Sequence, residues 1–259
     1  MAVCIRRNLL WLLGCALWLA AQRPSGAAQS TPGAAPSAQA LLRIADRARG
    51  GSEDGVRWTI QLKVEDDGET QTRSYLVRAR GVDALVEALA PPRNKGELYL
   101  FNDKNLWFIK PGLHKPISLS ARQRLTGDAA NGDIANTNYA RDYDAVLAGE
   151  ESVEGEPCYR LDLKARAKSV TYDKIRYWIS KARGLGVKAE FRTVSDQVFK
   201  IATFEYTNKI HTAAGDHEFV SRMVIRDPGK PRARTLIELG DPHVERLDAS
   251  IFNINNVAR

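Results

Sequence analysis

The 259-residue chain is poor in the residues that most reactions and cross-links require. It holds three cysteines, and Cys4 and Cys15 lie in an N-terminal segment with the marks of a removable leader. Cys158 then stands alone, so neither an intramolecular disulfide nor a cysteine-based zinc site can form. Its place beside Tyr159 in a strand pattern fits a small buried hydrophobe; a reactive thiol is the other reading. There are four histidines, His114, His211, His217 and His243, and their spacing does not force two or three of them onto one metal. Gly-x-Ser-x-Gly elbows and glycine-rich phosphate loops are missing. Carboxylate pairs such as Asp66-Asp67 and Glu150-Glu151 fall in turns or at strand edges, where solvated charge accounts for them; a glycosidase-like pair is the catalytic reading they leave. The expectation is a non-enzyme with no metal and no cofactor.

A strong excess of one charge is missing too. Of the formal +7, three charges come from Arg6, Arg7 and Arg23 in the leader, which leaves +4 among interspersed acids and bases. That is no nucleic-acid footprint. Lys174–Lys181 mixes bases and aromatics as a nucleic-acid reader would, but it serves equally as the wet face of a strand. The one long apolar run, Leu9–Ala21, is short for a membrane span. Flanked by Arg6-Arg7 and Ser25-Gly26-Ala27-Ala28, it reads as a signal peptide cut after Ala27 or Ala28, with an uncleaved anchor as the alternative. Leu12-Leu13-Gly14-Cys15 faintly resembles a lipoprotein cleavage box, but the apolar run continues past Cys15. Residues 1–28 are therefore assigned to a signal peptide, 29–37 to a flexible linker and 38–259 to one domain.

What the chain does have is alternation. Ser37-Ala38-Gln39 opens an amphipathic helix with Leu41, Leu42, Ile44, Ala45 and Ala48 on one stripe and Gly50-Gly51 at its end. From Val56 the period becomes two: Val56, Trp58, Ile60, Leu62 and Val64 share one face, and charged or polar residues the other. Asp66-Asp67-Gly68 turns the chain back through Glu69–Arg80. Val82–Ala90 fits a helix or a strand, and strand is chosen. Pro91-Pro92 makes a corner, and Leu98–Phe101 and Leu106–Ile109 form a hairpin about Asn102–Asn105. Trp107, Phe108 and Ile109 give one strand apolar surface on both faces. After a strand at Lys115–Leu119, Ser120–Tyr139 is small and polar, a mobile connection with one or two helical turns. Strands then return about every ten residues: Asp144–Glu154, Glu156–Ala165, Lys174–Ser180, Leu185–Ser195, Gln197–Asn208, His217–Arg226 and Arg234–Leu239. A last turn, Asp248–Phe252, docks Phe252. The pattern is an antiparallel meander of roughly ten or eleven strands.

The stretch from Leu85 to Gly112, with its Pro-Pro-Arg-x-Lys-Gly, its Asn/Asp turn and its Leu-Trp-aromatic run, resembles the LolA-like outer-membrane lipoprotein-sorting proteins. The similarity covers the middle of the chain. It implies a mainly β fold: a single strongly curved antiparallel sheet, an incomplete barrel, with a few short helices covering the open side. Ser120–Tyr139 would be a lid across the mouth, although the family's lid carries more aromatics and basics than this one. The apolar face predicts a lining of Trp58, Ile60, Leu62, Tyr75, Val77, Leu100, Phe108, Leu161, Ile179, Phe191, Phe199, Ile201, Phe219 and Met223. The same residues could fill an ordinary closed core. With the resemblance, the expectation is a monomeric periplasmic carrier that shelters lipid or lipoprotein acyl chains on the way to the outer membrane. An inner-membrane transporter and an outer-membrane acceptor would be its partners. The alternative is a dry, non-catalytic module that docks onto a transporter or envelope complex.

Overall fold

In the computed structural model the described residues are 36–51, 55–113, 115–135, 137–212 and 215–257; the expected signal peptide and most of the linker lie outside them. Helix α1 (Ala38–Arg47) starts where the Ser37 side chain accepts the Ala40 N–H, an N-cap that satisfies one of the helix's free donors. Its stripe is shifted from the expected one. Leu41, Leu42 and Ala45 are buried, Ile44 is 48% exposed, and Asp46 takes the place expected of an apolar residue.

The strands follow in order: β1 (Val56–Asp66), β2 (Glu69–Arg80), β3 (Asp83–Ala90), β4 (Leu98–Asn102), β5 (Asn105–Ile109) and β6 (Ile117–Leu119). The ambiguous Val82–Ala90 is thus a strand, and the Ala90–Pro91 bond that follows it is cis. The small, polar connection contains β7 (Arg124–Thr126), β8 (Ala129–Ala130), a 3-10 turn at Asn131–Ile134 and a one-turn helix α2 (Tyr139–Asp142). Then come β9 (Tyr143–Val153), β10 (Glu156–Ala165), β11 (Lys174–Ser180), β12 (Gly186–Arg192), β13 (Val198–Glu205), β14 (Asn208–Thr212), β15 (Gly215–Phe219), β16 (Arg222–Arg226) and β17 (Arg234–Val244). A 3-10 turn at Ala249–Phe252 buries Phe252, and α3 (Ile254–Val257) follows.

Thirteen strands form one antiparallel sheet in the order β6-β5-β4-β3-β2-β1-β17-β16-β13-β12-β11-β10-β9. Its ends, β6 and β9, do not pair, so it is curved but not closed into a barrel. Register shifts at Arg57/Thr59, Ser74/Tyr75, Arg160/Leu161, Trp178/Ile179 and Phe191/Arg192 are the irregularities that bend such a sheet. The sheet's thirteen strands correspond one to one to the strand segments read from the sequence, more than the ten or eleven reckoned for the whole sheet. Gln197–Asn208 leaves the main sheet after Glu205, and His217–Arg226 rejoins it at Arg222. Between them β14, almost wholly beyond the expected Gln197–Asn208, pairs with β15 as a separate hairpin.

Candidate functional site

The concave face collects the apolar side of nearly every strand. Trp58, Ile60 and Leu62 (β1), Tyr75 and Val77 (β2), Leu161 (β10), Ile179 (β11), Phe191 (β12), Phe219 (β15) and Met223 (β16) join one cluster, none more than 3% exposed. The Trp58 and Phe219 rings meet at 5.6 Å between centroids. Phe108 reaches the edge of this cluster, half-buried, 5.2 Å from the Tyr99 ring.

The other three expected lining residues lie elsewhere. Leu100 is buried on the opposite face of β4, in a second cluster with Leu85, Leu247 and Phe252. Neighbouring strand residues point to opposite faces, so Tyr99 inside requires Leu100 outside. Phe199 is 40% exposed and Ile201 is half-buried, because β13 turns Lys200, Ala202 and Phe204 inward. Lys200 finds its partners there, which outweighs the pull of two apolar side chains for the interior.

Over this floor lie α1 and the segment from β7 to α2, which contribute Leu41, Leu42, Ala45, Ala129 and Ile134 to the same cluster. The cover sits close. Gly127 has φ +52°, and a Cβ on it would come within 2.5 Å of Thr235 Oγ1 and 2.7 Å of a Val64 methyl. Polar contacts hold it at two places. At the first, buried Asp46 accepts the Ala140 N–H at 2.8 Å, and Gln39 Nε2 donates to the carbonyls of Ala140 and Tyr143. Burial pushes the Asp46 carboxyl up to about 7, against the pull of the Ala140 and Tyr139 amides and of Arg49. The buried Arg49 guanidinium lies 4.4 Å from the Phe204 ring centroid and 5.4 Å from that of Tyr139. At the second, Lys200 Nζ donates to Asp133 Oδ2 at 3.1 Å and to Tyr172 Oη at 2.7 Å, while the Tyr172 hydroxyl donates to Asp133 at 2.7 Å. Burial and the Asp133 charge hold the Tyr172 hydroxyl well above its ordinary range.

These buried charges are what reading the sequence missed. A signal existed for two of them: Asp46 and Arg49 follow Leu42 by four and seven residues, on the same helical stripe. Lys200 is flanked by Phe199 and Ile201, and local pattern favoured the wrong face.

Among the described residues the cluster between floor and cover packs closely. Between floor and cover, beside Arg49, Trp58, Ile60, Asp133 and Met223, the space amounts to about 20 Å³, room for about one water. Larger openings lie at the rim. A cleft of about 580 Å³ runs between α1, α2, the β14–β15 hairpin and the ends of β1 and β17. Val56, Val82, Ala140, Ile210 and Val244 give it an apolar lining; Arg43, Arg47, Arg141, Asp46 and His217 supply charge or polarity. A second cleft of about 430 Å³ lies on the other side of α2 and shares Val82, Asn138 and Arg141 with the first. The size of the first is typical of small-molecule sites. The described histidines do not gather at one site: His211 Nδ1 is 2.7 Å from Asp216 on the exposed hairpin, and His243 sits by the Asp241 carbonyl. No metal-ligating group of three or more His, Cys, Asp or Glu occurs among the described residues. No helix among them is long and apolar enough to cross a membrane.

Comparison with known proteins gives the following. A family model described as "Uncharacterized protein" matches residues 81–259. No curated protein matches. Among solved structures, a LolA superfamily protein from Nitrosomonas europaea is 30% identical, with a TM-score of 0.76 over 85% of this chain and 98% of that one. A domain assigned to outer membrane lipoprotein sorting from Vibrio parahaemolyticus is 18% identical, with a TM-score of 0.72 over 86% and 98% of the two chains. A DUF1329 family protein from Desulfovibrio piger is 21% identical, with a TM-score of 0.69 over 86% and 100%. The last two likenesses concern the fold.

Proposed function

This chain belongs to the LolA superfamily, and we propose that within it the protein is a periplasmic carrier that shelters the acyl chain of a lipid or lipoprotein. The observation that carries this is the position of the 580 Å³ cleft. It opens where the cover, α1 and α2, meets the end of the concave sheet. A tail entering there would run beneath the cover along the floor of Trp58, Ile60 and Met223. The gap beside Trp58, Ile60 and Met223 is only about 20 Å³, so a tail lying there replaces part of the cover. A tail of about 15 methylenes gains roughly 12 kcal/mol at ~0.8 kcal/mol each. Re-exposing Leu41, Leu42 and Ile134 costs about 5–9 kcal/mol at ~1.5–3 kcal/mol each. Leu125 and Tyr139 of the cover also pack on the cluster and the buried Lys200–Asp133 pair would part, so gain and cost are of similar size. The leader-like N-terminus and the name of the Vibrio parahaemolyticus relative support placement in the cell envelope.

Native mass spectrometry of the exported protein, with uptake of a fluorescent fatty acid, tests the reading. Bound lipid and saturable uptake are expected. Val82→Trp, placed at the junction of the two clefts, should abolish uptake while leaving the melting temperature nearly unchanged. An empty protein that takes up no fatty acid would refute the carrier. The close packing between floor and cover favours a second reading, a dry module whose outer surface docks onto an envelope complex. Capture of such a complex by a protein that binds no lipid would establish it.

A further inference from the structure

From the charge along the rim cleft we infer that the amphiphile this protein accepts carries an anionic head, which Arg43 and Arg47 engage. This rests on the carrier reading and adds the chemistry of the ligand's polar end. Arg43 and Arg47 are four residues apart on α1, so their side chains leave the same helix face. Both are exposed and both line the 580 Å³ cleft. Neither is in an ion pair among the described residues, a contrast with most other arginines of the domain. Arg57, Arg141, Arg160, Arg166, Arg183 and Arg234, for example, each face a carboxylate.

The rest of the cleft wall sharpens the point. Arg141 also lines it, but it spends its guanidinium on Asp142 at 2.6 Å and Asp103 at 3.3 Å. Asp46 is the one acid among the described lining residues. It is buried and turned to the Ala140 amide rather than to the two arginines. Two cations with no ion pair among the described residues therefore stand at the edge of a lining made by Val56, Val82, Ile210 and Val244. An apolar trough with cations at its edge is complementary to a tail ending in a carboxylate or a phosphate. A neutral head would leave both charges unanswered. The guanidinium fork suits either anion, since both present oxygens for paired N–H donors.

Three probes of one chain length separate the possibilities: laurate, dodecyl phosphate and uncharged 1-dodecanol, each titrated into the full protein by calorimetry. The wild type should bind the two anions about tenfold more tightly than the alcohol, as two partly exposed charge contacts supply. That preference should shrink on going from low to high salt. Arg43→Gln with Arg47→Gln should bring both anions to the affinity of dodecanol and leave dodecanol's own affinity and the melting temperature unchanged. Binding of laurate alone or of dodecyl phosphate alone assigns the head as carboxylate or phosphate. Equal binding of all three by the wild type, or an anion preference that survives the double substitution, overturns the headgroup assignment and leaves the carrier intact. Binding of none of the three overturns both.

Discussion

Replacing Lys200 by Met should unlatch the cover. Lys200 is the cation of a buried pair, with 7% of its side chain and 4% of that of Asp133 exposed, at 3.1 Å. Removing one partner of a buried pair leaves the other charge without compensation, which costs about 3–5 kcal/mol. Asp133 would keep the Tyr172 hydroxyl at 2.7 Å and the Ala130 N–H at 2.8 Å. The lower end, about 3 kcal/mol, is therefore expected for Lys200→Met. At about 2–4 °C per kcal/mol for a domain of this size, the melting temperature should fall by about 6–12 °C. Urea titration with an unchanged slope gives the free energy directly. Adding Asp133→Asn removes the stranded charge while keeping an acceptor for the Ala130 N–H, so the double variant should recover most of the loss. A cost under about 1 kcal/mol would mean that the pair behaves like a solvated surface pair, and the latch would be refuted.

Asp46 sets a pH dependence with a definite sign. Its carboxyl is raised from 3.8 to about 7, so between pH 4 and 7 the folded protein holds a proton that the unfolded chain has lost. Stability should fall by up to about 4 kcal/mol as pH rises through that window, and Asp46→Asn should flatten the curve measured by chemical denaturation. Gly127→Ala should cost about 1–3 kcal/mol, since the new methyl meets Thr235 and Val64 at a positive φ; thermal unfolding reads it. Phe191→Ala should cost about 3–5 kcal/mol and Phe199→Ser less than about 1, which separates the inner from the outer face of the sheet.

Legibility of the fold followed the clarity of the strand period. In β1, β2, β10 and β12 one face is apolar and the other charged, and the sequence reading placed Trp58, Ile60, Tyr75, Val77, Leu161 and Phe191 on the face that the structure buries. Where both faces are apolar the period is mute. In β4 and β5 it could not tell that Phe108 joins the main cluster while Leu100 and Trp107 pack beneath the C-terminal turn. The docking of Phe252 was readable, but its seat on Leu100 was not. In β13 the period misled, because a lysine reads as solvent-facing unless its partner is known. That partner, Asp133, lies 67 residues away on the cover. The expected lid was located by resemblance, but its fit onto the floor depends on small residues and long-range pairs that carry no local signature. Whether the apolar face was a core or a cavity could not be read at all, since both require the same alternation.

The carrier account stands or falls on whether a lipid tail reaches the floor beneath the cover. Trp58 is 1% exposed and lies at the centre of that floor, whereas Trp107 and Trp178 belong to clusters on the other face. In a chain whose other tryptophans are replaced by Phe, titration with a fatty acid brominated along its tail should quench Trp58 fluorescence, and the unbrominated acid should not. Tight binding of the brominated acid that leaves Trp58 emission unchanged would contradict the account, because the tail would then lie outside the sheet it is said to occupy.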